Sequence, residues 1–269
     1  TEQADLQQAL YGTHGDANRV VLAPADVADC FDVALEAFYI SEKYQIPVIV
    51  LSDQYIGQRK ETFDQNALFG NGQSNHQISK RTTPSEEDLE DYHRYSDTET
   101  GVSPMSYPGI KNGMYQAAGI EHTELGAPSS DMDVHAKMTE KRFRKDKHIA
   151  GELNFVRFYG PEDAEIGVVG WGSSKGAIKE AVQRLNAEGY AVRAAVPQVL
   201  APFPQEKFEA WLEPLKKVLV VELSYTGQFF KYLKGFLRFG DRKLRNYARS
   251  GGAPFNVQEI YEQIKQEFE

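Results

Sequence analysis

Three strand–helix units in a row near the carboxyl end leave few folds open to this chain. The apolar run Glu165-Ile166-Gly167-Val168-Val169-Gly170 turns through Trp171-Gly172-Ser173-Ser174 into a segment with Ala177, Ile178, Ala181, Val182 and Leu185 at helical spacing, stopped at Gly189. Tyr190-Ala191-Val192-Arg193-Ala194-Ala195-Val196 and Val218-Leu219-Val220-Val221-Glu222 repeat the strand. Phe208-Glu209-Ala210-Trp211-Leu212 repeats the helix, as do Phe229, Phe230, Leu233, Phe236 and Leu237. Asn256 and Glu259 have capping-box spacing ahead of a last helix with Val257, Ile260, Ile264 and Phe268 on one face. This β-α-β-α-β-α order predicts an open parallel sheet over 151–269.

Open sheets bind ligands beyond the carboxyl ends of their strands. The turn holding Ser173 and the segment Tyr225-Thr226-Gly227-Gln228 fall there, so Ser173 and Gln228 are positioning candidates. The turn's N–H groups suit an anion; the alternative is a tight turn in which glycine permits close packing. Gly170-x-Gly172-x-x-Lys175 lacks the third glycine of a dinucleotide fingerprint.

A lone strand–helix–strand unit lies near the other end. Arg19-Val20-Val21-Leu22-Ala23 is a strand, Asp26 an N-cap, and Asp29 a first-turn carboxylate. Val27, Cys30, Phe31, Ala34, Leu35 and Phe38 form a stripe expected to face a sheet, with Cys30 in the core. Pro47 ends the helix near Tyr44. Val48-Ile49-Val50-Leu51 then reads as a strand covered on both faces, ending in Ser52-Asp53. One such unit is too small for a doubly wound domain. Residues 1–75 are therefore expected to be the second half of a domain whose first half lies upstream, the alternative being completion by another subunit. The opening Thr1-Glu2-Gln3-Ala4-Asp5, without an initiator methionine, is expected to mark a boundary of processing or truncation.

Between these segments periodicity weakens from about Gly57 to Tyr159, and within that stretch 76–150 reads as a polar connector or arm. Gly70-Asn71-Gly72, Ser103-Pro104 and Pro108-Gly109 are turn signals. Phe63, Phe69, Tyr92, Tyr95, Tyr107 and Tyr115 are too aromatic for disorder, so the arm should wrap over its own domains or a partner. Tyr92, His93 and Arg94 combine donors with aromatic area and are candidates for positioning. Glu121, His122, Glu124, Asp131, Asp133 and His135 match no compact ligand helix, so structural hydrogen bonds are expected and no metal site. The basic run from Lys141 to His148 reads as a solvated helix or loop face, the alternatives being a subunit contact and an anion site.

A net charge of -9 argues against nucleic acid, and no apolar run approaches the ~20 residues that span a membrane. Cys30 is the only cysteine, too few for an iron–sulfur cluster, a disulfide or a thiolate zinc site, and points to a cytoplasmic chain. No nucleophile motif is present. Residues alone therefore stop at an α/β subunit with an anion or interface crevice.

Read in order, many short segments carry a resemblance. They are Thr1-Glu2-Gln3-Ala4-Asp5-Leu6, Tyr11-Gly12-Thr13-His14-Gly15-Asp16, Val50-Leu51-Ser52-Asp53, Tyr92-His93-Arg94-Tyr95, Gly101-Val102-Ser103-Pro104 and Pro108-Gly109, then Glu121-His122, Lys141-Arg142, Gly170-Trp171-Gly172-Ser173, Pro202-Phe203-Pro204, Val221-Glu222, Gly227-Gln228 and Pro254-Phe255. Each is weak alone, but the ordered set covers almost the whole chain. It resembles the C-terminal portion of the alpha subunit of thiamine diphosphate-dependent 2-oxoacid:ferredoxin oxidoreductases, most closely the 2-oxoglutarate branch.

That resemblance implies a partial pyrimidine-binding thiamine-type domain followed by a transketolase-C-terminal-like domain. It implies thiamine diphosphate with Mg2+ at a subunit interface, a [4Fe-4S] cluster in a beta subunit, ferredoxin, and a second alpha–beta pair. The implied reaction converts a 2-oxoacid and coenzyme A to acyl-CoA and CO2, or runs in reverse. Related readings are a transketolase-like dehydrogenase or synthase subunit without ferredoxin, and a purely structural subunit. The family's Gly-Pro-Ser-Thr-Gly and Tyr-Pro-Ile-Thr-Pro motifs are absent, so catalytic residues are expected upstream of Thr1 or in the partner. Met105 stands where relatives have arginine, and no arginine contact carries over there. His14, Asp16, Ser52 and Asp53 remain as candidates near the cofactor or a subunit boundary.

Overall fold

A computed structural model describes residues 2–64, 80–153 and 155–269. Phe69 and the Gly70-Asn71-Gly72 turn lie outside the described residues. Helix α1 (Leu6–Tyr11) is followed by β1 (Val20–Leu22), α2 (Val27–Tyr44), β2 (Val48–Val50) and α3 (Gln54–Gln58). The arm leads into α4 (Met132–Glu152). Then come β3 (Val156–Tyr159), β4 (Ile166–Val169), α5 (Lys175–Ala187), β5 (Val192–Pro197), β6 (Val199–Ala201), α6 (Gln205–Leu212), β7 (Lys217–Glu222), α7 (Gln228–Phe236), β8 (Lys243–Ala248) and α8 (Val257–Lys265).

The last segment forms the expected open sheet, in the order β3-β5-β4-β7-β8, with β5, β4, β7 and β8 parallel. Helices α5 and α8 cover one face through Ile178, Val182, Leu185, Ile260 and Ile264. Helices α6 and α7 cover the other through Phe208, Trp211, Phe229 and Leu233. Cover on both faces is why β4 and β7 are continuous apolar runs. The capping box at Asn256 and Glu259 is formed. Two outer strands escaped the sequence reading. β3 joins antiparallel to β5, and β8 carries Lys243, Arg245 and Asn246, the polar character of an edge.

The first segment corrects three expectations. Its sheet is β2-β1-β6, so β1 gains an antiparallel neighbour from the last segment, with Val21 opposite Ala201 and Leu22 opposite Val199. Residues of the same chain thus supply a strand that was expected from upstream sequence or another subunit. Next, β2 is not covered on both faces: it forms the sheet edge, and Val50 is 43% exposed. Finally, α2 turns Asp29, Val33, Ile40 and Tyr44 inward, while Phe38 is 69% exposed, Ala34 is exposed and Cys30 is half-buried. An apolar stripe marks a helix, but not which of its residues end up buried.

Candidate functional site

The crevice at the carboxyl ends of β4 and β7 is filled by the chain's own N-terminal segment. Gln3 is 2% exposed. Its Nε2 donates to the Trp171 carbonyl at 2.7 Å, and its Oε1 accepts from the Leu223 N–H at 2.9 Å. Its backbone N–H donates to the Leu223 carbonyl at 2.7 Å. Gln228 clamps the next turn, accepting from the Gln7 N–H at 2.8 Å and donating to the Ala4 carbonyl at 2.6 Å. At Gly172, φ is +58°, and a Cβ would sit 2.9 Å from Gln3 Nε2. Ser173 is buried beside it. The turn is therefore packed tightly against polypeptide, whose amides stand where an anion was envisaged.

A second cluster lies at the carboxyl end of β1, where the two segments meet. Asp26 accepts from the Asp29 N–H at 2.8 Å, Asp29 Oδ2 from the Ala25 N–H at 3.3 Å, and Glu61 from the Val27 N–H at 3.3 Å. Asp26 and Glu61 thus satisfy two donors in the first turn of α2, and Asp29 satisfies one just before it. Each meets a cation. Lys175 bonds Asp26 and lies 3.1 Å from Asp29, Arg157 reaches Asp29 at 2.6 Å, and Arg59 reaches Glu61 at 3.2 Å. Burial opposes ionisation of Asp26, but the Lys175 bond and the Asp29 N–H outweigh it and hold its carboxyl below the ordinary value. Burial likewise opposes the charge on Lys175, and the two aspartates overcome it and raise its pKa. Burial, followed by Asp26, Asp29 and Asp53, pushes the Cys30 thiol up, so it stays protonated. Sequence reading found Asp26 and Asp29 as a cap. It missed their partners, because an ion pair 146 residues apart leaves no local pattern.

The arm candidates are structural anchors in this geometry. Arg94 donates to Gln45 Oε1 at 2.6 Å and lies over the rings of Tyr95 and Tyr115. Gln45 donates to the Ser103 carbonyl at 2.8 Å, and its own carbonyl accepts from Lys145 at 3.2 Å. Cations thus gather at the negative end of α2. The Tyr92 hydroxyl donates to the Pro104 carbonyl and accepts from the Ser106 N–H, and His93 lies 3.3 Å from Asp91. Glu121 takes both Arg142 nitrogens and His135 Nδ1, which, Arg142 foremost, hold its carboxyl down to about 2. Asp131 caps α4, and Glu124 pairs with Lys137. Among the described residues no group of three or more such side chains could hold a metal ion.

The basic run of α4 is only partly a solvated face: Phe143, Lys147 and His148 are exposed, but its first lysine is not. Lys141 is 7% exposed, and burial, with Arg94 next, pushes its pKa down to about 8; burial and Lys141 do the same for Lys145. The arm folds over this face, and Gly101 packs onto the Lys141 carbonyl so closely that a Cβ there would sit 2.3 Å away. Between pH 8 and the ordinary lysine value of 10.5 the unfolded chain binds more protons at Lys141, so its burial costs most at neutral pH. Lys141→Met should stabilise the protein by roughly 1–3 kcal/mol at pH 7, a gain that shrinks toward pH 10. Urea denaturation at the two pH values checks this, and a loss of stability at pH 7 would contradict it.

The structure does not gather the first-segment candidates in one place. His14 and Asp16 are exposed in the turn before β1, at its amino end. Asp16 lines a cleft of about 680 Å3 with Arg19, Phe143, Phe203 and Tyr232. Ser52 and Asp53 follow β2, at its carboxyl end, where Asp53 caps α3 by accepting from the Ile56 N–H at 3.0 Å. Exposed Val50 and Tyr55 flank them. An apolar edge beside a hydroxyl and a carboxylate suits a heteroaromatic ring such as the thiamine pyrimidine. A diphosphate does not suit the start of α2, where Asp26, Asp29 and Glu61 already present three carboxylates.

Two α/β units, the second lending β6 to the sheet of the first, place an apolar edge, a hydroxyl and a carboxylate at strand ends, where proteins of the open-sheet class bind ligands. Residues 1–141 match the family described as pyruvate flavodoxin/ferredoxin oxidoreductase, thiamine diphosphate-binding, and residues 164–260 match pyruvate:ferredoxin oxidoreductase core domain II. The chain belongs to the 2-oxoacid:ferredoxin oxidoreductase family, as an alpha subunit. It is 32% identical to the 2-oxoacid:ferredoxin oxidoreductase subunit alpha of Saccharolobus solfataricus, over 98% of this chain and 41% of that one. It is 37% identical to the 2-oxoglutarate oxidoreductase subunit KorA of Mycobacterium tuberculosis, over 87% of this chain and 35% of that one. The solved 2-oxoglutarate:ferredoxin oxidoreductase of Magnetococcus marinus, with 2-oxoglutarate, coenzyme A and succinyl-CoA bound, superposes with a TM-score of 0.89 at 34% identity. That match covers 100% of this chain and 45% of the other, so the chain spans less than half of these relatives.

Proposed function

We propose that this chain is part of an alpha subunit that, with a beta subunit, converts 2-oxoglutarate and coenzyme A to succinyl-CoA and CO2 while reducing ferredoxin, or runs the reverse reaction. The observation that carries this reading is the end-to-end likeness to a solved enzyme holding 2-oxoglutarate, coenzyme A and succinyl-CoA. Thiamine diphosphate, when bound, supplies the electron sink for decarboxylation, so the protein must position groups more than provide a nucleophile. Ser52 and Asp53, beside Val50 and Tyr55, are the residues assigned to its pyrimidine side.

The carboxylates occupying the start of α2 support placing the diphosphate and Mg2+ on the beta subunit. A single thiol held protonated supports placing the [4Fe-4S] cluster there too. His14, Asp16 and the exposed Phe38 are assigned to contacts with the beta subunit or a second alpha–beta pair. The division into 1–75, 76–150 and 151–269 belongs to the same reading, as does a cytoplasmic location. Among the described residues no helix is long and apolar enough to cross a membrane.

The test is a comparison of rates on the intact purified complex, with viologen as electron acceptor. 2-Oxoglutarate should turn over fastest, and the complex should be brown from a co-purifying cysteine-rich chain. Faster turnover of pyruvate would overturn the substrate. A colourless complex that reduces NAD would overturn the reaction.

A further inference from the structure

The ion-pair lattice at the carboxyl end of β1 ties three pieces of chain to one point. The loop 23–26 is held by its own carboxylates, by the Ala23 N–H to the Gln198 carbonyl at 2.8 Å, and by Lys175 and Arg157 of the second unit. Arg59 and Glu61 extend the lattice to the end of α3, the helix that begins at the Asp53 cap and carries Tyr55. Lys175 is the first residue of α5, directly after the turn that packs on Gln3. Since each carboxylate of the lattice has both a backbone N–H and a cation, the loop and the start of α2 are held in one arrangement.

We infer that Lys175 and Arg157 are positioning residues for the thiamine diphosphate site of the first unit, fixing the loop 23–26 and, through Arg59 and Glu61, the α3 segment at the ligand end of that sheet. The inference rests on the cofactor assignment made above. Ligands of open sheets lie beyond the carboxyl ends of the strands, and this is where β1 and β2 end. The cations come from the other unit, so placement of the cofactor end depends on how the two units are docked. A lattice that only held the units together would lower stability when broken and leave cofactor affinity alone.

The experiment uses the intact complex with its full-length alpha chain, stripped of cofactor. Isothermal titration with thiamine diphosphate and Mg2+ is run beside titration with coenzyme A and thermal melting. Lys175→Met should weaken thiamine diphosphate binding about 10-fold and Arg157→Gln about 3-fold, Lys175→Arg should restore most of the loss, and coenzyme A affinity should be unchanged. A Lys175→Met complex with wild-type cofactor affinity and a lower melting temperature would overturn the positioning role. If Lys175→Met fails to assemble, Arg157→Gln decides the matter, because its side chain is 45% exposed and tolerates replacement; unchanged cofactor affinity there overturns the inference. A wild-type complex that binds no thiamine diphosphate would sink the proposed function itself, an outcome distinct from equal binding by wild type and variant.

Discussion

Replacing Asp29 by alanine should destabilise the protein by about 3 kcal/mol, because it strips two cations of a shared partner and leaves Lys175 buried with one carboxylate instead of two. Asp29 is 1% exposed, so solvent cannot replace what it supplies. The Ala25 N–H also loses its acceptor. Chemical denaturation at pH 7 measures the effect, and a change below about 0.5 kcal/mol would show that the lattice carries no net stability. The pH dependence follows from its neighbours. Asp26 has a folded pKa below its ordinary 3.8, so its contribution is present above that value and is lost as pH falls through the lower one. Lys175 has a folded pKa above its ordinary 10.5, so its contribution is complete below 10.5 and is lost only as pH rises through the higher value. The lattice should therefore fail first in acid, below about pH 4.

Gln3→Ala should cost a comparable 2–3 kcal/mol, roughly the penalty for leaving one buried N–H without an acceptor and removing one donor from a buried carbonyl. The N–H is that of Leu223; the carbonyl is that of Trp171, which keeps the Ser174 hydroxyl, and both lie at the ends of central strands. The N-terminal segment should then be held less firmly, with Leu6, Gln228 and the residue 3 N–H to the Leu223 carbonyl as its remaining anchors. Limited proteolysis before residue 12 should accelerate in step with the loss of stability. A variant that melts like wild type and resists protease would show that the Gln3 side chain is not needed to hold the segment. Gln3→Glu separates hydrogen bonding from size, because a carboxylate there would face the Trp171 carbonyl and should be no better than alanine.

Much of the second unit was legible because its strands obey a rule that sequence alone can state. A strand buried on both faces carries a continuous apolar run, as β4 does and as β7 does between Lys217 and Glu222. Asn256 and Glu259 announced α8 because a capping box is local chemistry. What stayed hidden was either marginal or long-range. β8 is an edge strand with polar side chains, and β6 is three residues beginning two positions after β5. The stripe containing Phe31 and Phe38 was read as facing this chain's own sheet, yet Phe38 points outward. Lys141 was read as solvated because charge is normally a sign of water, and only the folded arm reveals its burial. Among the candidate site residues, Ser52 and Asp53 were found by strand-end logic, which is topological. Lys175, Arg157 and Gln3 needed coordinates, since each acts on a partner more than 120 residues away. Family membership was legible from the order of many weak segments, none sufficient alone.

The pairing of β1 with β6 also governs how the chain can emerge from a ribosome. β1 and β2 are finished early, but the antiparallel neighbour of β1 is made only after some 180 further residues. At the usual pace of synthesis that is a wait of roughly ten to forty seconds. Through that interval Val21 and Leu22, which are buried in the native protein, present an unpaired edge. Ribosome profiling of chaperone occupancy should find a holding chaperone on β1, with its release point after residue 201 has cleared the exit tunnel.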